Sequence, residues 1–102
     1  MDKAEARSEL AEALVPYERQ SYAEIARRVG SPPDFFERRG ASGALYQIEV
    51  ECIWDAAPAG AIRVIGGIDD GGWSAFMPLM DGFLVQPESP SQSSARETTV
   101  ER

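Results

Sequence analysis

The chain has 102 residues, 43% of them hydrophobic and 26% charged, a composition typical of one globular domain and unlike disordered, collagen-like or disulfide-rich chains. Residues 32–86 hold eight acids and three bases and so carry most of the net charge of −7, which disfavours a nucleic-acid backbone and suits a basic partner. The lack of histidine excludes catalytic triads and imidazole zinc sites, and the single cysteine, Cys52, excludes an internal disulfide.

Hydropathy bears on localisation. No apolar run approaches the roughly 20 residues that a membrane-spanning helix needs. Residues 1–5 lack the charged-then-apolar pattern of a secretory signal. We therefore expect a cytoplasmic protein that does not associate with membranes.

The first predicted helix runs from residue 3 to about residue 15. Its apolar residues recur at helical spacing on one face: Ala6, Leu10, Ala13 and Leu14. Pro16 has no backbone donor and disfavours helical geometry at Val15. The helix is therefore expected to end there.

The second predicted helix begins at a capping box formed by Ser21 and Glu24, in which each side chain accepts from the other residue's backbone amide. Arg27 and Arg28 fall in the last turn, where positive charge suits the helix dipole. Gly30, followed by two prolines, ends the helix. The apolar face of this helix consists of Tyr22, Ile25, Ala26 and Val29.

The middle of the chain predicts strands. Residues 35–39 fit a short edge strand better than a helical turn, and residues 45–54 alternate between apolar and polar side chains. Residues 61–68 and 73–79 predict two more strands joined by a turn at Asp70-Gly71, with Pro78 at a strand end. Residues 83–85 suggest one further short strand.

Two turns, each considered alone, predict the strand registers. The Asp70-Gly71 turn sets Ile68 opposite Trp73 and Ile65 opposite Phe76, and a turn that places Trp54 opposite Gly60 sets Val50 beside Val64. Both registers leave one face of the sheet apolar. We therefore predict an α+β fold in residues 1–86, with two N-terminal helices packed on one face of an antiparallel meander of three to five strands, and a disordered tail in residues 87–102.

The other face of this sheet, which we call the second sheet face, is the candidate site. It is expected to carry an apolar patch with charged neighbours, in which Glu51 lies opposite Arg63: Ile53, Ile65, Phe76, Glu49, Glu51 and Arg63. Such a patch is typical of a surface that binds a partner protein or a second copy of the chain. The alternative is that residues 83–85 or Phe35-Phe36 fold over the patch.

Carboxylates are the remaining candidates for chemistry. Asp55, Asp69, Asp70 and Asp81 flank predicted turns, where aspartate commonly accepts from local backbone amides. Successive turns of a meander lie at opposite ends, so only Asp55 and Asp81 are expected to converge. The glycines at 66–67 and 71–72 lack the spacing of a phosphate-binding loop, and those at 66–67 are expected to admit a large neighbour such as Trp73 or Trp54, or to mark a bulge. We predict no catalytic residue, metal or cofactor.

Residues 21–30 also resemble the first helix and turn of a helix-turn-helix, with Ala26 and Gly30 at the small-residue and turn positions. The segment 32–34, Pro-Pro-Asp, stands where the recognition helix should begin, and no amphipathic repeat follows it. The net charge also opposes DNA binding. A DNA-binding regulator is therefore an alternative rather than the leading hypothesis.

The run Ile-Asp-Asp-Gly-Gly-Trp at residues 68–73 resembles a segment found in a family of short uncharacterised bacterial proteins. Residues 46–50, 54–55, 62–64, 75–76, 78–79 and 83 extend the resemblance, which covers about residues 21–86. The resemblance implies a genuine domain whose match continues into a sheet, and it implies no activity and no functional residue.

The leading hypothesis is a non-enzymatic protein-interaction or regulatory module that presents its second sheet face to a basic protein or to another copy. A helix-turn-helix regulator and a small carboxylate- or metal-dependent hydrolase that uses Asp55 and Asp81 are the alternatives.

Overall fold

The computed structural model describes residues 1–72 and 77–87, which form two helices and a four-stranded antiparallel sheet. The helices are α1 (Lys3–Glu18) and α2 (Tyr22–Ala26), and the strands are β1 (Asp34–Arg39), β2 (Leu45–Trp54), β3 (Ile62–Asp69) and β4 (Leu79–Val85). The strands follow one another across the sheet in the order β1-β2-β3-β4. The predicted α+β class and antiparallel meander are confirmed. The predicted tail lies outside the described residues from position 88 onward.

Helix α1 does not end at Val15, because it continues through Pro16 to Glu18. A proline removes one backbone hydrogen bond, but burial of the next turn outweighs that loss. Tyr17 is only 7% exposed, and its hydroxyl donates to Asp34 Oδ2 at 2.6 Å. The predicted helix end was therefore wrong, whereas the four predicted apolar residues of α1 are all buried.

Helix α2 begins at the predicted capping box. Glu24 N donates to Ser21 Oγ at 3.1 Å, and Ser21 N donates to Glu24 Oε1 at 2.8 Å. The regular helix ends at Ala26, earlier than expected, and continues as tighter turns closed by bonds such as Arg28 N to Ile25 O at 2.9 Å. The predicted stop at Gly30, whose φ is +88°, follows these turns.

Strand β1 confirms the edge strand predicted at residues 35–39. Among the described strands it pairs with β2 alone, with Phe36 opposite Ile48, and a bond of 2.8 Å from Gly40 N to Ala44 O closes the connecting turn. Residues 35 and 36 therefore lie in the plane of the sheet. The alternative that they fold over the second sheet face was wrong.

The β2–β3 register differs from the predicted one by two residues. Trp54 lies opposite Ile62 and Val50 opposite Gly66, because residues 55–61 form a longer loop in which Asp55 N donates to Ala61 O at 2.9 Å. A shift of two leaves every side chain on its predicted face, since side chains alternate with a period of two.

The β3–β4 pairing corrects the last hairpin. Ile68 lies opposite Leu79, so β3 pairs with residues 79–85; residues 73–76 of the strand predicted at 73–79 lie outside the described residues. The Asp69 and Asp70 side chains accept from the backbone amides of Gly71 and Gly72 at 2.8 and 3.2 Å. Residues 69–72 therefore form a local turn, and not the predicted two-residue hairpin. Pro78 directly precedes β4, as expected of a residue with no amide donor.

Buried residues of both helices and of one face of the sheet form a single hydrophobic cluster. Helix α1 contacts β2, β3 and β4, and its Leu10 and Leu14 side chains lie directly over Gly66. A Cβ added to Gly66 would be 2.9 Å from Leu10 Cδ1, so the large neighbour that Gly66 admits is a leucine of α1; Trp73, one of the two tryptophans considered, lies outside the described residues.

The Glu5 carboxylate joins α1 to the β1–β2 turn. It accepts from the Tyr46 hydroxyl at 2.7 Å and from the Ser42 hydroxyl and amide at 2.7 and 2.8 Å. The bonds from Tyr46 and Ser42 hold the pKa of Glu5 below its ordinary value of 4.5, and the same contact raises the pKa of Tyr46 to about 12.

This contact predicts an acid dependence of stability. A carboxyl group whose pKa is lower in the folded than in the unfolded chain stabilises the fold above pH 4.5, and this contribution is lost as the pH falls toward the lowered pKa. We expect the Tm of Glu5→Gln to fall less steeply than that of the wild type between about pH 5 and pH 3. Glu18→Gln, which changes an exposed glutamate of the same helix, is the control. Parallel curves for wild type and Glu5→Gln would contradict the assignment.

Candidate interaction surface

The second sheet face is built by alternation along the four strands. In β2 the buried side chains are Tyr46, Ile48, Val50 and Cys52, so residues 45, 47, 49, 51 and 53 lie on the other side. In β3, residues 63, 65, 67 and 69 also lie on the second sheet face. Each described helix contributes buried residues to the opposite face, and no described element packs on the second sheet face.

Large apolar side chains are exposed on this face. Phe35 of β1 is 72% exposed, Met80 and Leu84 of β4 are 56% and 43% exposed, and Ile53 of β2 is 38% exposed. Half-buried Ile65 of β3 lies between β2 and β4. Ile65, Met80 and Leu84 are neighbours across β3 and β4, whereas Glu49 separates Phe35 from β3 and Arg63 separates Ile53 from Leu84.

Five of the six predicted site residues lie on this face as expected: Ile53, Ile65, Glu49, Glu51 and Arg63. The sixth, Phe76, lies outside the described residues. The predicted neighbours were wrong, because Glu51 lies opposite Ile65 rather than Arg63, and the β4 neighbour of Ile65 is Gly82 rather than Phe76. Both errors follow from the two corrected registers.

Four exposed apolar residues of this face were not among the predicted site residues: Phe35, Leu45, Met80 and Leu84. The position of Phe35 was predictable from the sequence, because alternation in a strand puts Phe35 and Phe36 on opposite faces. In the structure Phe36 packs against the core and Phe35 lies on the second sheet face. Met80 and Leu84 depended on the position of β4, which the predicted hairpin placed too early. Residues 83–85 belong to β4 and do not fold over the patch.

The charge on this face is predominantly negative. Glu37, Glu49 and Glu51 are exposed, and their carboxylates make no hydrogen bond or ion pair with any described residue. The Arg63 guanidinium donates to Asp55 Oδ1 at 2.9 and 2.6 Å, which neutralises it locally. Arg39 of β1 is also exposed on this face and donates to Gly43 O at 2.7 Å, so the glutamates outnumber the cations that no described carboxylate neutralises.

Asp55 and Asp81 do not form the carboxylate pair considered from the sequence. Asp55 follows β2 and holds Arg63, whereas Asp81 lies within β4 opposite Gly66 and accepts from Gly82 N at 2.8 Å. Within residues 1–72 and 77–87, no group of three or more cysteine, aspartate or glutamate residues is arranged to hold a metal ion.

The segment after α2 does not supply a recognition helix. After the turns that end at Gly30, residues 34–39 form strand β1, so the helix-turn-helix geometry has no second helix at its expected place. Arg28 of this segment makes contacts within the fold instead. Arg28 donates to Asp34 and Gln20 at 2.9 and 3.2 Å and lies 5.2 Å from the centroid of the Tyr17 ring.

An open groove of about 460 Å³ lies beside α2 and the edge of the core. Its lining mixes acids and bases, among them Glu24, Arg27, Arg28 and Asp34, with Cys52 at its floor. Burial raises the pKa of the Cys52 thiol, so the thiolate that a nucleophile needs is disfavoured. The Cys52 thiol therefore lines the groove in its protonated form.

Comparison of the chain with protein-family models, with curated proteins and with solved structures returned no match. The resemblance carried by residues 68–73 stays a prediction. Neither described helix has the length and apolar character needed to cross a bilayer. Function must therefore be argued from the geometry of the described residues alone.

Proposed function

We propose that the chain is a non-enzymatic protein-interaction module that binds a basic partner protein through its second sheet face. The observation that carries the proposal is that apolar side chains lie beside carboxylates that bond to no described residue, as exposed Phe35 does beside Glu49 and half-buried Ile65 beside Glu51. Interfaces commonly combine an apolar centre with a polar rim. The apolar side chains supply affinity and the glutamates supply the choice of partner.

Size indicates a transient interaction. With seven residues along β4 and four strands across, at about 3.3 Å per residue and about 4.8 Å per strand, the face covers roughly 400 Å². A standard stable interface buries about 800 Å² on each partner. The face alone therefore suits a complex that forms and dissociates readily rather than an obligate assembly.

Charge favours a basic partner over a second copy. Each copy would bring a net charge of −7 and its own Glu49 and Glu51 to the interface. Like charges that face each other at an interface are unfavourable, whereas opposite charges raise the association rate. A partner with lysine or arginine around an apolar centre meets both features of the face.

Site-specific photo-crosslinking tests the proposal. A benzophenone analogue of phenylalanine replaces Phe35 in the full chain, and the same analogue at Glu18, an exposed residue of α1, serves as the control position. Irradiation in native lysate is expected to yield an adduct with a basic protein from position 35 only. Adding Glu51→Lys should reduce this adduct, whereas adding Glu49→Gln should reduce it less, because it removes a charge without reversing it.

Three results would contradict the proposal. An adduct of the chain with itself would identify the face as a homodimer contact. Equal adducts from positions 35 and 18, or an adduct that Glu51→Lys leaves unchanged, would show that neither the face nor its charge selects the partner.

A further inference from the structure

The second sheet face is divided lengthwise by charge. Glu37, Glu49 and Glu51, whose carboxylates make no bond with a described residue, lie on β1 and β2. On β3 and β4 the positions between Arg63 and Asp69 are apolar or glycine (Ile65, Gly82, Met80), and Leu84 lies opposite Arg63, which Asp55 neutralises. A uniform patch would accept a partner in any orientation. This division instead favours a partner whose apolar stripe has positive charge along one flank.

Resting on the proposed function, we infer that the partner's contacting segment is an amphipathic helix with lysine or arginine along one flank. The helix lies along β3, its apolar stripe covers Ile65, Met80 and Leu84, and its basic flank faces Glu49 and Glu51. An extended segment would add to a sheet edge instead, where its backbone could pair.

The dimensions of the face fit a helix. The distance from β2 to β4 is two strand spacings, about 10 Å, which matches the 10–12 Å diameter of a helix with its side chains. Two positions of this central strip carry no side chain, Gly67 and Gly82, and Met80 lies over Gly67. The strip between Glu51 and the edge of β4 is therefore shallow enough for a helix to approach the sheet.

The length of the face sets the length of the contact. Seven residues of strand span about 23 Å, which corresponds to about 15 residues of helix at 1.5 Å per residue. The apolar stripe of such a helix recurs at i, i+4, i+7 and i+11. With α1 on the other face of the sheet, the bound state has three layers, helix on sheet on helix, which is an established architecture for burying both sides of a sheet.

Three designed peptides test the inference against the full chain by fluorescence anisotropy. The first is an 18-residue helix with leucine at the stripe positions, lysine on one flank and alanine elsewhere; the second replaces each lysine by glutamate; the third scrambles the first so that no stripe forms. The first peptide is expected to bind at least about tenfold more tightly than either of the others.

Variants of the chain locate the contact. Glu51→Lys and Leu84→Glu are each expected to weaken binding of the first peptide at least about fivefold. Glu18→Lys, which makes the same charge change on α1, should leave it unchanged. Both positions of the face are exposed, and a circular dichroism spectrum confirms folding of each variant.

The outcomes separate the helix from the proposed function. Equal binding of the first and scrambled peptides overturns the helical contact and leaves an acidic, apolar binding face. Binding that Glu51→Lys and Leu84→Glu do not alter overturns both. Failure of the first peptide to bind at millimolar concentration overturns the helical contact, and the crosslink from position 35 then decides the proposed function separately.

Discussion

Leu10→Ala is expected to lower the free energy of unfolding by about 3 kcal/mol, because Leu10 is fully buried and its removal leaves a cavity under α1. Gly66→Ala alone should cost about 1–2 kcal/mol, since its Cβ would lie 2.9 Å from Leu10 Cδ1 and 3.1 Å from Leu14 Cδ2. In the double variant the new methyl group fills space that Leu10 has vacated. The combined cost is therefore expected to be at least about 1 kcal/mol below the sum.

Urea-induced unfolding of the four proteins measures this coupling. Gly72→Ala combined with Leu10→Ala is the control, because among the described residues the Cβ at position 72 meets only Asp70 Oδ1, at an ordinary 3.6 Å. That pair should be additive within about 0.5 kcal/mol. If Leu10→Ala does not fold, Leu10→Val gives a smaller cost of the same sign. Additive costs for Leu10 and Gly66 would contradict the packing of α1 over β3.

Gly82→Ala is expected to destabilise the fold by on the order of 3 kcal/mol. A Cβ at position 82 would run into the backbone carbonyl oxygen of Val64, with the Ile65 Cα 3.3 Å away. Backbone atoms of a central strand cannot move aside as a side chain does, so β4 would have to shift away from β3. Gly82 therefore permits the close approach of these two strands.

The matched single change is again Gly72→Ala. Its backbone is not in the left-handed region and its new methyl group has room, so the free energy of unfolding should stay the same or rise by up to about 1 kcal/mol. Thermal unfolding compares the two variants. A Gly82→Ala protein as stable as Gly72→Ala would contradict the β3–β4 register, in which Gly82 lies opposite Ile65.

Features governed by neighbouring residues were predictable from the sequence. The capping box at Ser21 and Glu24 needs only residues three apart, and the alternation in β2 depends only on which side chains prefer burial. Because faces follow from a period of two, the assignment of Glu49, Glu51 and Ile65 to one face survived a register shift of two residues.

Features governed by distant packing were not predictable in this way. Helix α1 passes through Pro16 because Tyr17 reaches Asp34 across the fold, a contact that local propensity does not contain. The β3–β4 hairpin was misplaced because Asp70-Gly71 has the composition of a tight turn, whereas Asp69 and Asp70 hold the adjacent amides of a longer connection. Met80 and Leu84 were missed for that reason.

Isoleucine methyl spectra of the full chain test the binding face most directly. The chain has six isoleucines: Ile53 and Ile65 lie on the second sheet face, and Ile25, Ile48, Ile62 and Ile68 are buried in the core. On titration with the lysine-flanked helical peptide, the methyl signals of Ile53 and Ile65 should shift while the other four stay in place. Shifts confined to the four core signals, or no shift in any signal, would contradict binding of the helical peptide at this face.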